Sequence, residues 1–351
     1  MRPIAVLLAA AALAAPLAAG ALDTSREDVA AFIAEVASRD GFDAAELGRV
    51  LSQAESRRTV LEAAERPAEK TLSWPDYRAR FLTEQRIGRG SAVYAAQSEA
   101  LGRASASGVP APILLGIVGV ETFYGERTGK HRVIDALATL AFDFPARGDF
   151  FRGELEQFLL MAREEGLDPL APLGSYAGAM GIPQFMPSSF RAFAVDGDGD
   201  QHRDLWTSWP DVFASVANYL AQHGWKPGEP VMAAADATGA DLTGLDTAKP
   251  SLTETVDSLR RRGVRFETTL PPDAPAMLLA LPTASGAEYR VGFANFYALT
   301  RYNRSPLYAS AVHDLAEAIE AARQRSLPPE EPTSGAAAAS VATFLPPTTS
   351  R

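Results

Sequence analysis

The stretch "GIVGVETFYGERTG", Gly116–Gly129, decides how this chain is read. From Ile113 to Val120 the chain is aliphatic apart from glycine, and it then meets a carboxylate, Glu121. Pro112 suits the first turn of a helix. The segment therefore reads as a helix over 113–124, stopped at Gly125. On that helix Glu121 shares a face with Leu114, Ile117, Val118 and Tyr124, all core-type residues. Desolvation at the rim of a buried face raises a carboxyl pKa. The negative end of the helix dipole acts in the same sense. A glutamate kept protonated near neutral pH is what a general acid needs to expel a poor alkoxide leaving group. The plainer reading is a structural glutamate, exposed at a helix end or paired with Arg127 or Arg132, and spacing alone does not separate it from the acid.

Glycoside cleavage ordinarily takes two carboxylates. Glu126, Asp135, Asp143 and Asp149 are the candidates for a second. Glu126 lies beyond Gly125 and about 140° around a continued helix, so it faces away. Asp135, in "IDALATLAF", reads as a helix N-cap. Asp143 and Asp149 flank the loop "FPARG", which offers no acid–base environment. One well-placed acid without a partner points away from a two-carboxylate hydrolase.

Composition narrows the field further. A net charge of −10 on 351 residues argues against nucleic acid as a partner. There is no cysteine, which excludes disulfides, a thiol nucleophile, thiolate metal sites and lipid acylation of a cysteine. Four histidines make a multi-histidine zinc site unpromising. Residues 1–21 carry Arg2, an apolar run from Ile4 to Ala15 broken by Pro16, and Ala19-Gly20-Ala21. That is the pattern of a cleaved signal peptide and not of a membrane anchor. It predicts an exported, periplasmic protein. A monomer is expected.

The patterning predicts a mainly α (α+β) protein. Residues 22–105 read as an N-terminal α region, with Thr24 or Ser25 capping "REDVAAFIAEVASRD" and a capping box at Asp43 and Glu46. "SWPDYRARFL" reads as a loop, followed by one helix over about 87–106. A catalytic core is expected over 106–228, with Asp211 capping "VFASVANYLAQH". Residues 229–295 form a small β region in which "AMLLALP", "TASG" and "AEYRVGF" read as strand, turn, strand. Residues 296–325 return to helix, and 326–351 have the composition of a disordered tail.

Seven segments, taken in order, carry a resemblance: "GIVGVETFYG", "IDALATLAFDFPAR", "GELEQFLLMARE", "GSYAGAMGIPQFMPSSF", "DLW", "SVANYLAQHGW" and "NFYALTRYN". Together they resemble the lytic murein transglycosylase B family. The resemblance implies a lysozyme-like helical core. It also implies non-hydrolytic cleavage of the β-1,4 bond between N-acetylmuramic acid and N-acetylglucosamine in peptidoglycan strands, giving 1,6-anhydromuramyl ends. Glu121 matches the family's single catalytic acid, which needs no catalytic cofactor. Ser175 and Gln184 match residues near that acid, and Tyr77, Tyr219, Tyr302 and Asn303 match groove residues. The family often carries two arginines after the "ATLxF" motif. Here only Arg147 remains, beside Ala146, and it is the candidate for a muramyl or peptide carboxylate. The alternatives are a hydrolytic muramidase on the same fold and a non-catalytic peptidoglycan-binding protein.

"VDGDGDQHRDLW" sets Asp196, Asp198 and Asp200 at alternate positions, as a calcium loop begins. Gln201 stands at the sixth position, where glycine is usual, and Thr207 at the twelfth, where glutamate is usual. The resemblance implies a structural calcium site closed by a later aspartate. Asp211 is the nearest match, and His202 is placed to offer a backbone carbonyl. A solvated acidic turn is the alternative.

Overall fold

The computed structural model describes residues 20–66 and 72–326. The signal peptide expected over 1–21, as far as residue 19, and the disordered tail expected beyond Ser326 lie outside the described residues. The apolar helix runs Ala111–Thr122 and is buried all round, not on one stripe: of its side chains only Pro112 and Glu121 are partly exposed. It lies against the long helix Pro306–Ser326. Gly116 is why the two approach so closely. A Cβ there would stand 2.6 Å from the Val312 carbonyl oxygen, and one at Gly119 would stand 2.9 Å from Leu315 Cδ2. The helices Glu84–Ala96 and Ser98–Ser105 pack on the same element, and Trp209–Gln222 closes the core.

Several expected boundaries move, each for a local reason. "SWPDYRARF" is a helix, Trp74–Phe81, because Ser73 accepts from the Asp76 N–H and Pro75 occupies the first turn. The helix expected over 87–106 is two helices broken at Gln97. Neither Thr24 nor Ser25 caps the first helix, Glu27–Asp40. Arg26 holds that position, and Ser25 instead donates to Asp23. Asp43 does cap the helix Ala44–Leu51, accepting from the Glu46 N–H at 2.8 Å. The N-cap of Trp209–Gln222 is Ser208, and Asp211 sits inside the first turn. The last helix runs through Ser326.

Asp135 is not the N-cap of its helix, Val133–Asp143. Arg132 is. Asp135 is 1% exposed and joins regions far apart in sequence. It pairs with Arg57 at 3.1 Å and Arg132 at 2.9 Å, and it accepts the Glu55 N–H at 3.0 Å. This fixes the N-terminal α region on the core.

The β region is a five-stranded antiparallel sheet in the order Glu254–Thr255, Pro275–Thr283, Gly286–Gly292, Met232–Asp236, Arg265–Phe266. The expected hairpin is present, with Thr283 opposite Gly286. Strand Pro275–Thr283 alternates its burial between two cores. Met277 and Leu279 join the main core, while Ala276 and Leu278 join the sheet's own. Among the described residues no helix is long and apolar enough to cross a membrane.

Replacing Gly116 by valine forces the two helices apart at Val312. We expect a loss of about 1–3 kcal/mol and a lower melting temperature, as overpacking does. A Gly116→Val protein that melts with the wild type would contradict this account of the helix contact.

Candidate active site

The acid-bearing helix ends two residues earlier than its sequence pattern suggests, so Glu121 is its penultimate residue. The chain turns sharply there. Phe123 (φ +54°) and Tyr124 (φ +58°) are both left-handed, ahead of Gly125 (φ +88°). For residues with a Cβ this costs about 1–2 kcal/mol each. The turn is held by Phe123 N–H to Gly119 O at 3.2 Å and Tyr124 N–H to Val118 O at 3.1 Å. Thr122 Oγ1 also donates to Ile182 O at 2.8 Å. The Tyr124 ring drops into the notch left by Gly90 and Gly119, where a Cβ at either glycine would overlap its hydroxyl.

Glu121 is half-buried, and its Oε1 accepts the Tyr308 hydroxyl at 2.6 Å. Tyr308 comes from the first turn of the helix Pro306–Ser326 and is 3% exposed. Burial first, and the Glu121 charge second, push its pKa well above the ordinary tyrosine value. It therefore remains a hydrogen-bond donor throughout the neutral range. Sequence reasoning missed Tyr308. The available signal was Pro306, which starts a helix immediately after the matched "NFYALTRYN".

The expected groove aromatics divide. Tyr302 stacks on Tyr308, with ring centroids 6.5 Å apart and planes 12° apart, and its hydroxyl donates to Pro183 O at 2.6 Å. Burial, then the Glu121 charge, raise its pKa well above the usual value. Asn303 follows and accepts the Ser305 N–H at 3.0 Å. Tyr77 is buried with Trp74, Leu281 and Ala311, close enough to Tyr308 to act on its ionisation. Tyr219 departs from expectation. Its hydroxyl is spent on Arg301 O at 2.7 Å, and its ring is stacked on His223 at 4.0 Å and packed by Phe185 and Phe193. It supports the floor of the site from within the core.

Ser175 and Gln184 stand on one compact hairpin-like loop. Ser175 N–H donates to Ala179 O at 2.8 Å, and Met180 and Phe185 exchange backbone bonds. Ser175 Oγ accepts the N–H groups of Ala177 and Ala179, which leaves its own proton to donate. Gln184 is left-handed (φ +54°), and its amide nitrogen donates to Thr128 O at 3.1 Å and Gly181 O at 2.8 Å. It thus fastens this loop to the segment following Glu121. Arg147 is exposed on the short turn Pro145–Arg147, its guanidinium 4.4 Å from the Phe150 ring centroid.

The carboxylates considered for a second acid are committed elsewhere. Glu126 pairs with Arg89 at 3.2 Å, and Asp143 with Arg26 at 2.7 Å and the Ser56 hydroxyl at 2.6 Å. Asp149 pairs with Arg152, and Asp135 with its two arginines. A cavity of about 800 Å³ lined by Tyr94, Pro110, Trp225 and Glu317 lies at the other end of the acid-bearing helix, away from Glu121. The distribution of acid and tyrosine groups outweighs cavity size in locating the chemistry.

In the acidic loop, carboxylate oxygens of Asp196, Asp198 and Asp211 lie within 4.8 Å of one another. Asp200 and the His202 side chain fall outside that group. Asp200 accepts the His202 N–H at 2.8 Å, and His202 is exposed. Gln201 adopts φ +75°, the backbone for which glycine is usual at that position. Asp211 is 1% exposed and accepts the N–H groups of Gly197 and Asp204. Burial pushes its carboxyl pKa up, and the neighbouring Asp198 adds to this. Three converging carboxylates, all oxygen donors, suit a hard divalent cation.

Tyr308→Phe removes the hydrogen bond that Glu121 accepts, worth about 1.5–3 kcal/mol once Glu121 has given up its proton and is charged. Any reaction that uses Glu121 is expected to slow roughly tenfold or more. Turnover equal to wild type would contradict a working Glu121–Tyr308 contact.

Comparison with known proteins places the chain in a family. Residues 24–317 match the Transglycosylase SLT domain family. The chain is 41% identical over 302 residues, 83% of its length and 82% of the relative's, to membrane-bound lytic murein transglycosylase B of Escherichia coli (strain K12). Among solved structures, soluble lytic transglycosylase SltB1 of Pseudomonas aeruginosa aligns at TM-score 0.79 and 46% identity, covering 84% of this chain and 99% of that one. Escherichia coli lytic transglycosylase Slt35, in complex with calcium, aligns at TM-score 0.78 and 39% identity, covering 87% and 97%. The chain is thus a lytic transglycosylase of lysozyme-like fold, and it belongs to the Transglycosylase SLT domain family.

Proposed function

We propose that this lytic transglycosylase cleaves the β-1,4 bond between N-acetylmuramic acid and N-acetylglucosamine without water, using Glu121 as acid and then base. The observation that carries the reading is one carboxylate at the helix end, hydrogen-bonded by Tyr308, while the other candidate acids are held by arginines. Glu121 gives its proton to the glycosidic oxygen as the C1–O bond breaks. The muramyl acetamido group stabilises the oxocarbenium-like carbon, a substrate-assisted route. The C6 hydroxyl then attacks C1 and returns its proton to the Glu121 carboxylate, closing the 1,6-anhydro ring. Tyr308 holds the carboxylate in line for both transfers. Ser175, Gln184, Tyr302 and Asn303 border the bound sugars, Tyr77 backs Tyr308, and Arg147 is left for a substrate carboxylate. The protein works in the periplasm as an exported monomer on glycan strands, released by cleavage after Ala21.

Purified peptidoglycan digested by the wild type should yield anhydromuramyl ends by mass spectrometry. Glu121→Gln should lose at least 10³-fold in turnover, as loss of an essential acid–base group does. Reducing muramyl ends would indicate a muramidase, and full activity in Glu121→Gln would overturn the site assignment.

We also propose that Asp196, Asp198 and Asp211 hold a structural calcium ion, which would offset the repulsion among three close carboxylates. Calcium should raise the melting temperature, and chelation should lower it by about 5 °C or more. Asp211→Asn should abolish that response. A melting temperature indifferent to both treatments would reject the site.

A further inference from the structure

We propose that Arg86 is a positioning residue: its guanidinium, packed on the rings of Phe81 and Phe123, holds the left-handed turn that aims Glu121. The inference rests on the reading of Glu121 as the reacting acid.

Arg86 lies in the first turn of the helix Glu84–Ala96, where the Thr83 hydroxyl accepts its N–H at 3.2 Å. Its side chain does not reach for water. The residue is 7% exposed, which is unusual for an arginine. Its carbon Cζ stands 5.0 Å from the centroids of both the Phe81 and the Phe123 rings, within cation–π range of each. Nη1 donates to Arg80 O, and Nε is buried without a hydrogen-bond partner. Among the described residues no carboxylate pairs with it. The nearby charge is unhelpful. Arg127, over the same Phe123 ring at 5.2 Å, adds to burial in lowering the Arg86 pKa, while the Tyr124 phenol opposes them.

A buried cation without a counter-ion is a poor way to stabilise a core, where an apolar side chain of similar size serves better. What Arg86 touches accounts for its place. Phe123 is the first residue after the acid-bearing helix and the first of two consecutive left-handed residues with side chains. Such a backbone persists only when its surroundings over-determine it. Tyr124 is fixed by the notch at Gly90 and Gly119, and Gly90 stands one turn along from Arg86 on the same helix. That helix therefore grips both strained residues, Phe123 through Arg86 and Tyr124 through Gly90. A planar, weakly hydrated guanidinium stacks on aromatic faces, whereas a lysine ammonium is a compact, strongly hydrated charge that is costlier to bury there. If Phe123 relaxes, the last turn of the helix relaxes with it, and Glu121 shifts against Tyr308 and the scissile oxygen. Displacements of about 1 Å at a reacting group can cost about 10²-fold in rate.

The test is a kinetic cycle on soluble glycan strands, scored by anhydromuramyl ends, with Arg86→Met, Phe123→Leu and the double variant. We expect Arg86→Met to lose at least tenfold in kcat with KM within about threefold of wild type, because the glycan-contacting groups stay in place. The double variant should be no worse than the poorer single one, because Arg86 acts through Phe123. Arg86→Lys should fail to rescue, and it carries the same comparison if Arg86→Met does not fold, as judged by melting curves. Wild-type kcat in Arg86→Met or Arg86→Lys would overturn the proposal, and so would losses that multiply in the double variant. A wild type that releases no anhydro ends would instead remove the reading of the reaction on which the proposal stands.

Discussion

The close contact of two helices at Gly116 is the constraint on which the rest depends. Helix Ala111–Thr122 is buried all round except at Pro112 and Glu121, and it supplies the centre of the core. Because Gly116 lacks a side chain, the helix Pro306–Ser326 can settle against it, with Val312 O facing the glycine. Tyr308 lies about one turn before Val312 on that helix. Its hydroxyl consequently arrives at Glu121, 187 residues away in sequence. Apolar packing supplies the affinity of the pair, and the glycine sets its distance. The placement of one proton donor beside one carboxylate follows from both.

Around that pair, in the candidate site, the backbone departs from low-energy geometry. Phe123, Tyr124 and Gln184 are left-handed although none is glycine. Each is tied down by something distant. Arg86 stacks on Phe123, glycine notches hold Tyr124, and the Gln184 amide bonds to Thr128 and Gly181. Strain of this kind is sustained by a rigid surround and is common where a side chain must be presented at one angle. The candidate site is assembled from four segments, 121–128, 175–185, 302–308 and 77–86, joined by hydrogen bonds and ring contacts between residues far apart in sequence.

Much of this was legible in the sequence, and the rest was hidden for physical reasons. The apolar run, its terminal acid and the period-two strands are local patterns, and local patterns survive folding. Gly41, Gly166 and Gly224 all follow helices in left-handed backbone, the ending that a glycine after an amphipathic run announces. The misreadings concern relations between distant residues. Asp135 looks like an N-cap until Arg57 is known to reach it across 78 residues. Tyr219 looks like a sugar platform until Arg301 O is seen to take its hydroxyl. Trp74–Phe81 is a different kind of error, because Ser73, Pro75 and Asp76 do announce a helix start, but a high density of polar and aromatic residues masks it. Tyr308 carried no local mark beyond the proline ahead of it.

The central claim is that one carboxylate on this helix serves both proton transfers, so that no water enters the bond being broken. Digestion of peptidoglycan in water enriched in ¹⁸O tests this most directly, with the new muramyl ends weighed by mass spectrometry. The account predicts ends free of ¹⁸O, at the mass of the anhydro sugar. Muramyl ends that carry one ¹⁸O at C1 would contradict it.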